Sequence, residues 1–201
     1  MALVFIEKLW FSINKCMNYT AQDISAFFSQ YESCISHNLV VHTKFRPCNH
    51  TQHQIDRMAE ESKKCLRYAL NCFSKSLYPN HSNYVKRKPE IYRPLTFTTI
   101  ENITETTDKE QTIHFNISLG NLPKHLSTIQ IEILFRHAWH IKAQQSNDIY
   151  LTHKNDYPAE TQKWFGYIIK DANKSRKLAW ETNGTWDVLN CWIPHNAINT
   201  D

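Results

Sequence analysis

With 201 residues, 41% of them hydrophobic and 12% aromatic, the chain is long enough to bury a full-sized core and too apolar for a disordered tail. Only three glycines occur and neither GxGxxG nor GxxxxGK[ST] is present, so a nucleotide-fuelled mechanism has no visible seat. A net charge of +4, with 11 histidines that add to it in mild acid, biases the surface toward anionic partners.

The opening MALVFIEKLW is apolar for six residues and is then broken by Glu7 and Lys8, too short for a signal peptide or a membrane span. The six cysteines form no CxxC and no ligand-like cluster, which speaks against structural zinc and a disulfide framework. The expectation is a soluble, cytoplasmic protein without a membrane partner.

Residues 1–36 read as a helical extension, with Leu9, Ile13 and Met17 on one stripe and Ile24, Phe27, Phe28 and Tyr31 on another. The remaining residues, 37–201, are expected to form a single α+β domain. Residues 39–45 alternate as a strand, with Leu39, Val41, Thr43 and Phe45 on one face and His42 and Lys44 on the other. A long helix follows from Gln54 to about Leu77, then a Pro-punctuated connection carrying Lys86, Arg87 and Lys88. Residues 95–101 (LTFTTIE) are β-branched and aromatic, a second strand joined by a polar turn to the third.

That third strand, TIHFNISLG at 112–120, is the most informative stretch. Ile113, Phe115, Ile117 and Leu119 fall on one face, and Thr112, His114, Asn116 and Ser118 on the other. His114 and Asn116 thus point the same way, either as solvated residues on an open sheet face or as two groups converging on one metal ion or phosphate. Ser127 caps a helix through about Ala143, with Ile133, Leu134, His137, Ala138 and Ile141 as the expected buried side. HAWH, from His137 to His140, looks like a ligand pair but falls on the apolar face and its edge. Residues 148–154 read as a short strand, and Pro158 opens a last helix. On it Lys163, Tyr167, Lys170 and Lys174 recur on one face, a basic stripe with a tyrosine set into it. The tail holds three tryptophans without a clear period.

From residue 39 the order is β-α-β-β-α-β and then a helix. The expected architecture is ferredoxin-like (split βαβ): an antiparallel sheet with its helices on one face and the other face free.

A His-hydrophobe-polar strand followed by a helix, a strand and a helix carrying Tyr-x-x-Lys, on such a core, resembles the HUH endonuclease superfamily. These are the rolling-circle replication initiators, relaxases and related transposases of plasmids and phages. The resemblance covers roughly residues 39–175, and IHFNISLGN and GYIIKD are similar to the corresponding runs of such initiators. It implies that Tyr167 attacks a DNA phosphodiester to leave a 5′-phosphotyrosine and a free 3′-OH, with Lys170 assisting the phosphate. It implies His114 as a ligand of Mg²⁺ or Mn²⁺, with Asn116 standing where the family has its second histidine; an amide oxygen can ligate such hard cations. A third ligand comes from a neighbouring element in that family. Glu101 is the nearest acid, but strict alternation places it on the Leu95/Phe97 face, so that a bulge would have to turn it over. His42 is the alternative if its strand neighbours the central one.

Lys163, Lys174, Lys86, Arg87 and Lys88 are the candidate nucleic-acid contacts. The implied partners are single-stranded DNA or an origin hairpin and, since no helicase segment is visible, a host helicase. A non-catalytic single-stranded nucleic-acid-binding module on the same fold, using an open sheet face and the lysine helix, is the alternative. A protein–protein adaptor using the basic helix and the Trp-rich tail is a third reading.

Overall fold

The computed structural model describes residues 21–156, Trp164 and residues 186–194. Helix α1 spans Ala21–Ser29, strand β1 Ile35–His42, helix α2 Gln52–Leu77, the short helices α3 Tyr84–Arg87 and α4 Pro89–Tyr92, strand β2 Leu95–Glu101, strand β3 His114–Gly120, helix α5 Thr128–Arg136, and strand β4 Ile149–His153. The four strands form one sheet in the order β2-β3-β1-β4, and every neighbouring pair is antiparallel. The class is therefore α+β, with a four-stranded antiparallel sheet and helices.

Both long helical segments start where local chemistry says they should. Thr51 accepts from the Gln54 backbone N–H while the Gln54 side chain accepts from the Thr51 N–H, a reciprocal cap that opens α2. Ser127 and Gln130 repeat the arrangement at α5. Ile55, Ala59, Leu66, Ala69, Phe73 and Leu77 give α2 one buried stripe. Ser62 and Ser74 sit in that stripe without an orphaned hydroxyl, because each donates to the carbonyl four residues back.

The α2 stripe packs with Ile131 and Phe135 of α5 on the sheet face formed by Leu39, Val41, Ile100, Phe115, Ile117 and Leu119, making the larger core. The helix expected to run evenly to Ala143 instead passes into a π-turn over His137–Lys142. The buried stripe runs through Ile131, Phe135, Ala138 and Trp139, whereas Ile133 and Ile141 are 60% and 56% exposed and His137 is exposed, against the expectation for those three. Trp139 is held there by donating its indole N–H to the His42 carbonyl at 3.0 Å. His140, the second member of the HAWH pair, is hydrogen-bonded to the Gln145 carbonyl at 2.8 Å.

The opposite face is not free. Ile24, Phe27 and Phe28 of α1, with Tyr31, pack on Leu95 and Phe97 together with Trp186 and Ile193, a second aromatic core. Phe28 and Phe97 lie 4.3 Å apart between ring centroids. Burying each large aromatic side chain contributes about 1.5–3 kcal/mol, so leaving this face open to water would forfeit a sizeable part of the molecule's stability. The expectation of helices on one face only is corrected accordingly. The tail segment also closes the outer edge of β2: Thr96 and Trp192 exchange two backbone hydrogen bonds at 2.8 and 2.9 Å.

Strand β1 begins four residues earlier than its alternation suggests, at Ile35, and its register shifts between Ile35 and His37. Gly120 ends β3 against this irregularity, where any Cβ would overlap the Cys34 carbonyl oxygen. Among the described residues, no helix is long and apolar enough to cross a membrane.

Candidate metal and phosphate site

The register of the neighbouring strands β2, β3 and β1 builds the site. Glu101 of β2 is directly opposite His114 of β3, and His114 is directly opposite His42 of β1. Directly opposed residues share a face, so all three side chains stand in one row across the sheet, on the side of the second core. Glu101 thus belongs to the Leu95/Phe97 face, as alternation requires, but that face is also the His114/Asn116 face. The expected bulge is unnecessary, since β2 and β3 pair without a register shift.

His114 Nε2 lies 3.1 Å from Glu101 Oε2, and the carboxylate side chain is only 1% exposed. On the other side of the ring, Asn102 stands 3.2 Å from His114 Nδ1 and donates to the Thr112 carbonyl at 2.9 Å. Asn102 reaches this position in the left-handed region, at φ 62°, immediately after β2 ends. Asparagine tolerates that conformation better than most residues.

One step inward along β3, Asn116 is fully buried, and neither its amide nitrogen nor its amide oxygen has a hydrogen-bond partner among the described residues. Thr99 Oγ1, on the residue opposite it, and Asn38 Oδ1, opposite Ser118, are likewise unsatisfied. Leaving a buried amide unpaired costs about 1–3 kcal/mol per group. These atoms share one sheet face with the His114 imidazole and the Glu101 carboxylate.

The donor set suits a hard divalent cation. Ligands bound at 2.0–2.1 Å to adjacent corners of an octahedral ion stand about 3 Å apart, close to the His114–Glu101 separation. One imidazole, one carboxylate and one amide oxygen match Mg²⁺ or Mn²⁺ rather than a thiophilic metal. Among the described residues there is no grouping of three or more His, Cys, Asp and Glu side chains able to hold a metal ion; the set assembled here has two of those types and an asparagine.

His42 does neighbour the central strand, but it is not directed to the same point. Its ring stacks on His114 with centroids 5.2 Å apart and planes at 26°. Its Nδ1 is hydrogen-bonded to Thr112 Oγ1 at 2.7 Å, and its Nε2 lies 3.8 Å from Asp148. Burial, and then the neighbouring His114, lower its pKa, so the ring is neutral near pH 7. His42, His114, Lys44, Arg46, Glu110 and Asp148 are among the residues lining a cleft of about 510 Å³; of the row, His42 and His114 reach it and Glu101 does not. Its two cations are matched by two carboxylates, with Arg46 3.9 Å from Glu110.

Compared with known proteins, the chain matches no family model, no curated protein and no solved structure.

Of the residues expected at the site, the structure pairs His114 with Glu101 at 3.1 Å and sets Asn116 on the same face, one cross-strand pair further along β3. Lys86, Arg87 and Lys88 are exposed before the opposite end of β2, about 20 Å of strand away from Glu101. Tyr167, Lys170, Lys163 and Lys174 lie outside the described residues. Trp164 is described, and its indole N–H donates to Ser118 Oγ at 2.9 Å. Position 164 therefore sits over the His114/Asn116/Ser118 face. Asn102, which contacts the His114 ring, was missed by sequence reasoning, and its signal was only the polar turn after β2, which does not reveal where its side chains point. Thr112 was placed on the His114 face by alternation, but its bond to His42 was not foreseen.

Proposed function

We propose that the chain is an HUH-type single-strand DNA nicking and strand-transfer protein of the replication-initiator kind. The observation that carries this reading is the polar row itself. His114 and Glu101 are set at ligand spacing, the orphaned Asn116 amide stands beside them, and Trp164 is fixed to the same face three residues before Tyr167. Three residues of chain reach about 10 Å when extended, so the covalent path allows Tyr167 to arrive at the row. The ferredoxin-like assignment is part of the same proposal, and the strand order β2-β3-β1-β4 with crossover helices after β1 and β3 supports it.

In this reading His114, Glu101 and Asn116 hold Mg²⁺ or Mn²⁺, which when bound polarises the scissile phosphate and offsets its developing charge. Tyr167 Oη attacks phosphorus, the bond from phosphorus to the 3′ oxygen breaks, the phenolic proton is given up and the departing 3′ oxygen leaves as a hydroxyl. The products are a 5′-phosphotyrosine and a free 3′-OH, and reversal rejoins the strand. Lys170 neutralises charge on the phosphate, and Lys163 and Lys174 contact the flanking backbone. Unwinding would fall to a host helicase, in a cytoplasmic setting that suits the free thiols of Cys48, Cys65, Cys72 and Cys191.

The test is cleavage of labelled single-stranded origin DNA with Mn²⁺ or with EDTA. Cleavage is expected only with the metal, and Glu101→Gln and His114→Ala should each lower it by at least about a hundredfold, as loss of a group that stabilises transition-state charge does. Equal cleavage by the wild type and both variants would remove the row from the chemistry. A non-catalytic strand-binding module keeps one observation in its favour, the direct His114–Glu101 contact. The second core covers part of the sheet face that it was expected to use, the same face that carries the His114–Glu101 pair.

A further inference from the structure

Away from the cleft, at the end of the sheet where β2 begins, four aromatic rings gather on the connection between α2 and β2. Tyr84 and Tyr92 are stacked, with centroids 5.7 Å apart and planes at 21°. His81 lies 5.3 Å from Tyr92 and 5.8 Å from Tyr84, and Tyr78 meets Tyr92 edge-on at 5.1 Å. Tyr84 is 38% exposed and His81 is exposed, so the cluster presents ring surface to solvent instead of closing over it.

The setting is firm. Val85 is buried beneath α3, and Arg93, just after the cluster, donates to Asn71 at 2.7 Å while lying 5.3 Å over the Trp192 ring. Around the rings Lys86, Arg87 and Lys88 are consecutive and exposed, and among the described residues none of them is ion-paired. The Lys88 ammonium lies over Tyr84, 5.4 Å from its centroid. Exposed cations beside partly exposed rings are what a single strand requires: aromatic faces for unpaired bases, and cations for the phosphates between them.

We infer that Tyr84 and His81, backed by Tyr92 and flanked by Lys86, Arg87 and Lys88, form a base-stacking platform for single-stranded DNA, separate from the metal and phosphate site. A base takes the place of the Lys88 ammonium over Tyr84, and that ammonium moves onto the adjoining phosphate. The choice of DNA as the strand rests on the nicking reading; the platform itself does not. Held about 20 Å along β2 from Glu101, it grips the strand at a distance from the scissile bond and so fixes which phosphate reaches the cleft.

The experiment is fluorescence anisotropy with labelled oligothymidylate in EDTA, so that cleavage plays no part, at several salt concentrations. Tyr84→Ala should weaken binding about 5- to 150-fold, the range for losing one stacked base, while Tyr84→Phe keeps the ring and should bind like the wild type. The triple Lys86→Ala, Arg87→Ala, Lys88→Ala variant should reduce the slope of log affinity against log salt by about two. Folded Tyr84→Ala protein that binds with wild-type affinity would overturn the platform, as would an unchanged salt slope in the triple variant. Tighter binding of oligouridylate than oligothymidylate would overturn the assignment to DNA. Weakened binding in Tyr84→Ala, with no metal-dependent cleavage by the wild type, would leave the platform standing and remove the nicking reading. Normal cleavage with unaltered binding in the variants would do the reverse.

Discussion

Asn116 is the residue on which the site turns. It is buried, its amide has no partner among the described residues, and it sits beside a histidine–carboxylate pair. Evolutionary neutrality is not needed to see the cost, because a side chain of similar shape without polar atoms would avoid the desolvation penalty. Asn116→Leu is accordingly expected to raise stability by about 1–3 kcal/mol, read from urea denaturation, and to abolish Mn²⁺ binding, read by electron paramagnetic resonance. A destabilised variant that still binds Mn²⁺ would show that the amide serves packing and not a ligand. The shared face of His114 and Asn116 was legible from alternation alone. Glu101 was not, because alternation within one strand does not say which face of the neighbouring strand it joins. Leu95 and Phe97 look like residues of the main core, and only the existence of a second core puts them, and Glu101, on the polar side of β3.

At the scale of elements, the strands and the long helix could be read from pattern and caps, whereas their irregularities could not. The π-turn after α5 left no mark in the pattern, and Ile133 and Ile141 were expected inside and are found outside because the stripe that packs runs through Ile131, Phe135, Ala138 and Trp139, a choice between two apolar stripes that periodicity alone does not make. The junction of β1 and β3 depends on a different irregularity. Gly120 faces the Cys34 backbone at a separation that leaves no space for a methyl group. Because the obstacle is backbone and not a movable side chain, Gly120→Ala should destabilise the protein by about 1–3 kcal/mol, the cost of overpacking a tight contact, measurable as a lower urea midpoint with an unchanged slope. A midpoint equal to that of the wild type would mean that the two strands separate there without penalty.

Over the whole molecule, both faces of the sheet are covered, and two buried titratable groups on different elements oppose one another in their pH dependence. Burial lowers the pKa of His37 to about 4, with His153 adding to the shift and Asp156 opposing it. The unfolded chain therefore binds that proton more readily, and stability is lost as pH falls from about 6.5 toward 4. Burial raises Asp187 to about 6, against the hydrogen bond from Asn190 and the charges of Lys63 and Arg67, with Glu60 adding to the rise. Here the folded chain binds the proton more readily, so stability is lost as pH rises from about 4 to 6. Asp187→Asn should then stabilise the protein at pH 7 by on the order of 2–3 kcal/mol and change little at pH 4, exposing the acid loss due to His37. A variant no more stable than the wild type at pH 7 would mean that Asp187 is ionised without penalty.

The account as a whole rests on one chemical event, the joining of Tyr167 to the 5′ phosphate of a cleaved strand. Single-stranded origin DNA incubated with the protein and Mn²⁺, followed by protease digestion and mass spectrometry of the DNA-linked peptide, tests it most directly. The account predicts a phosphodiester on Tyr167, formed with Mn²⁺, absent with EDTA and absent from Tyr167→Phe. An adduct that persists in Tyr167→Phe, or metal-dependent cleavage that leaves no protein attached to the DNA, would contradict it.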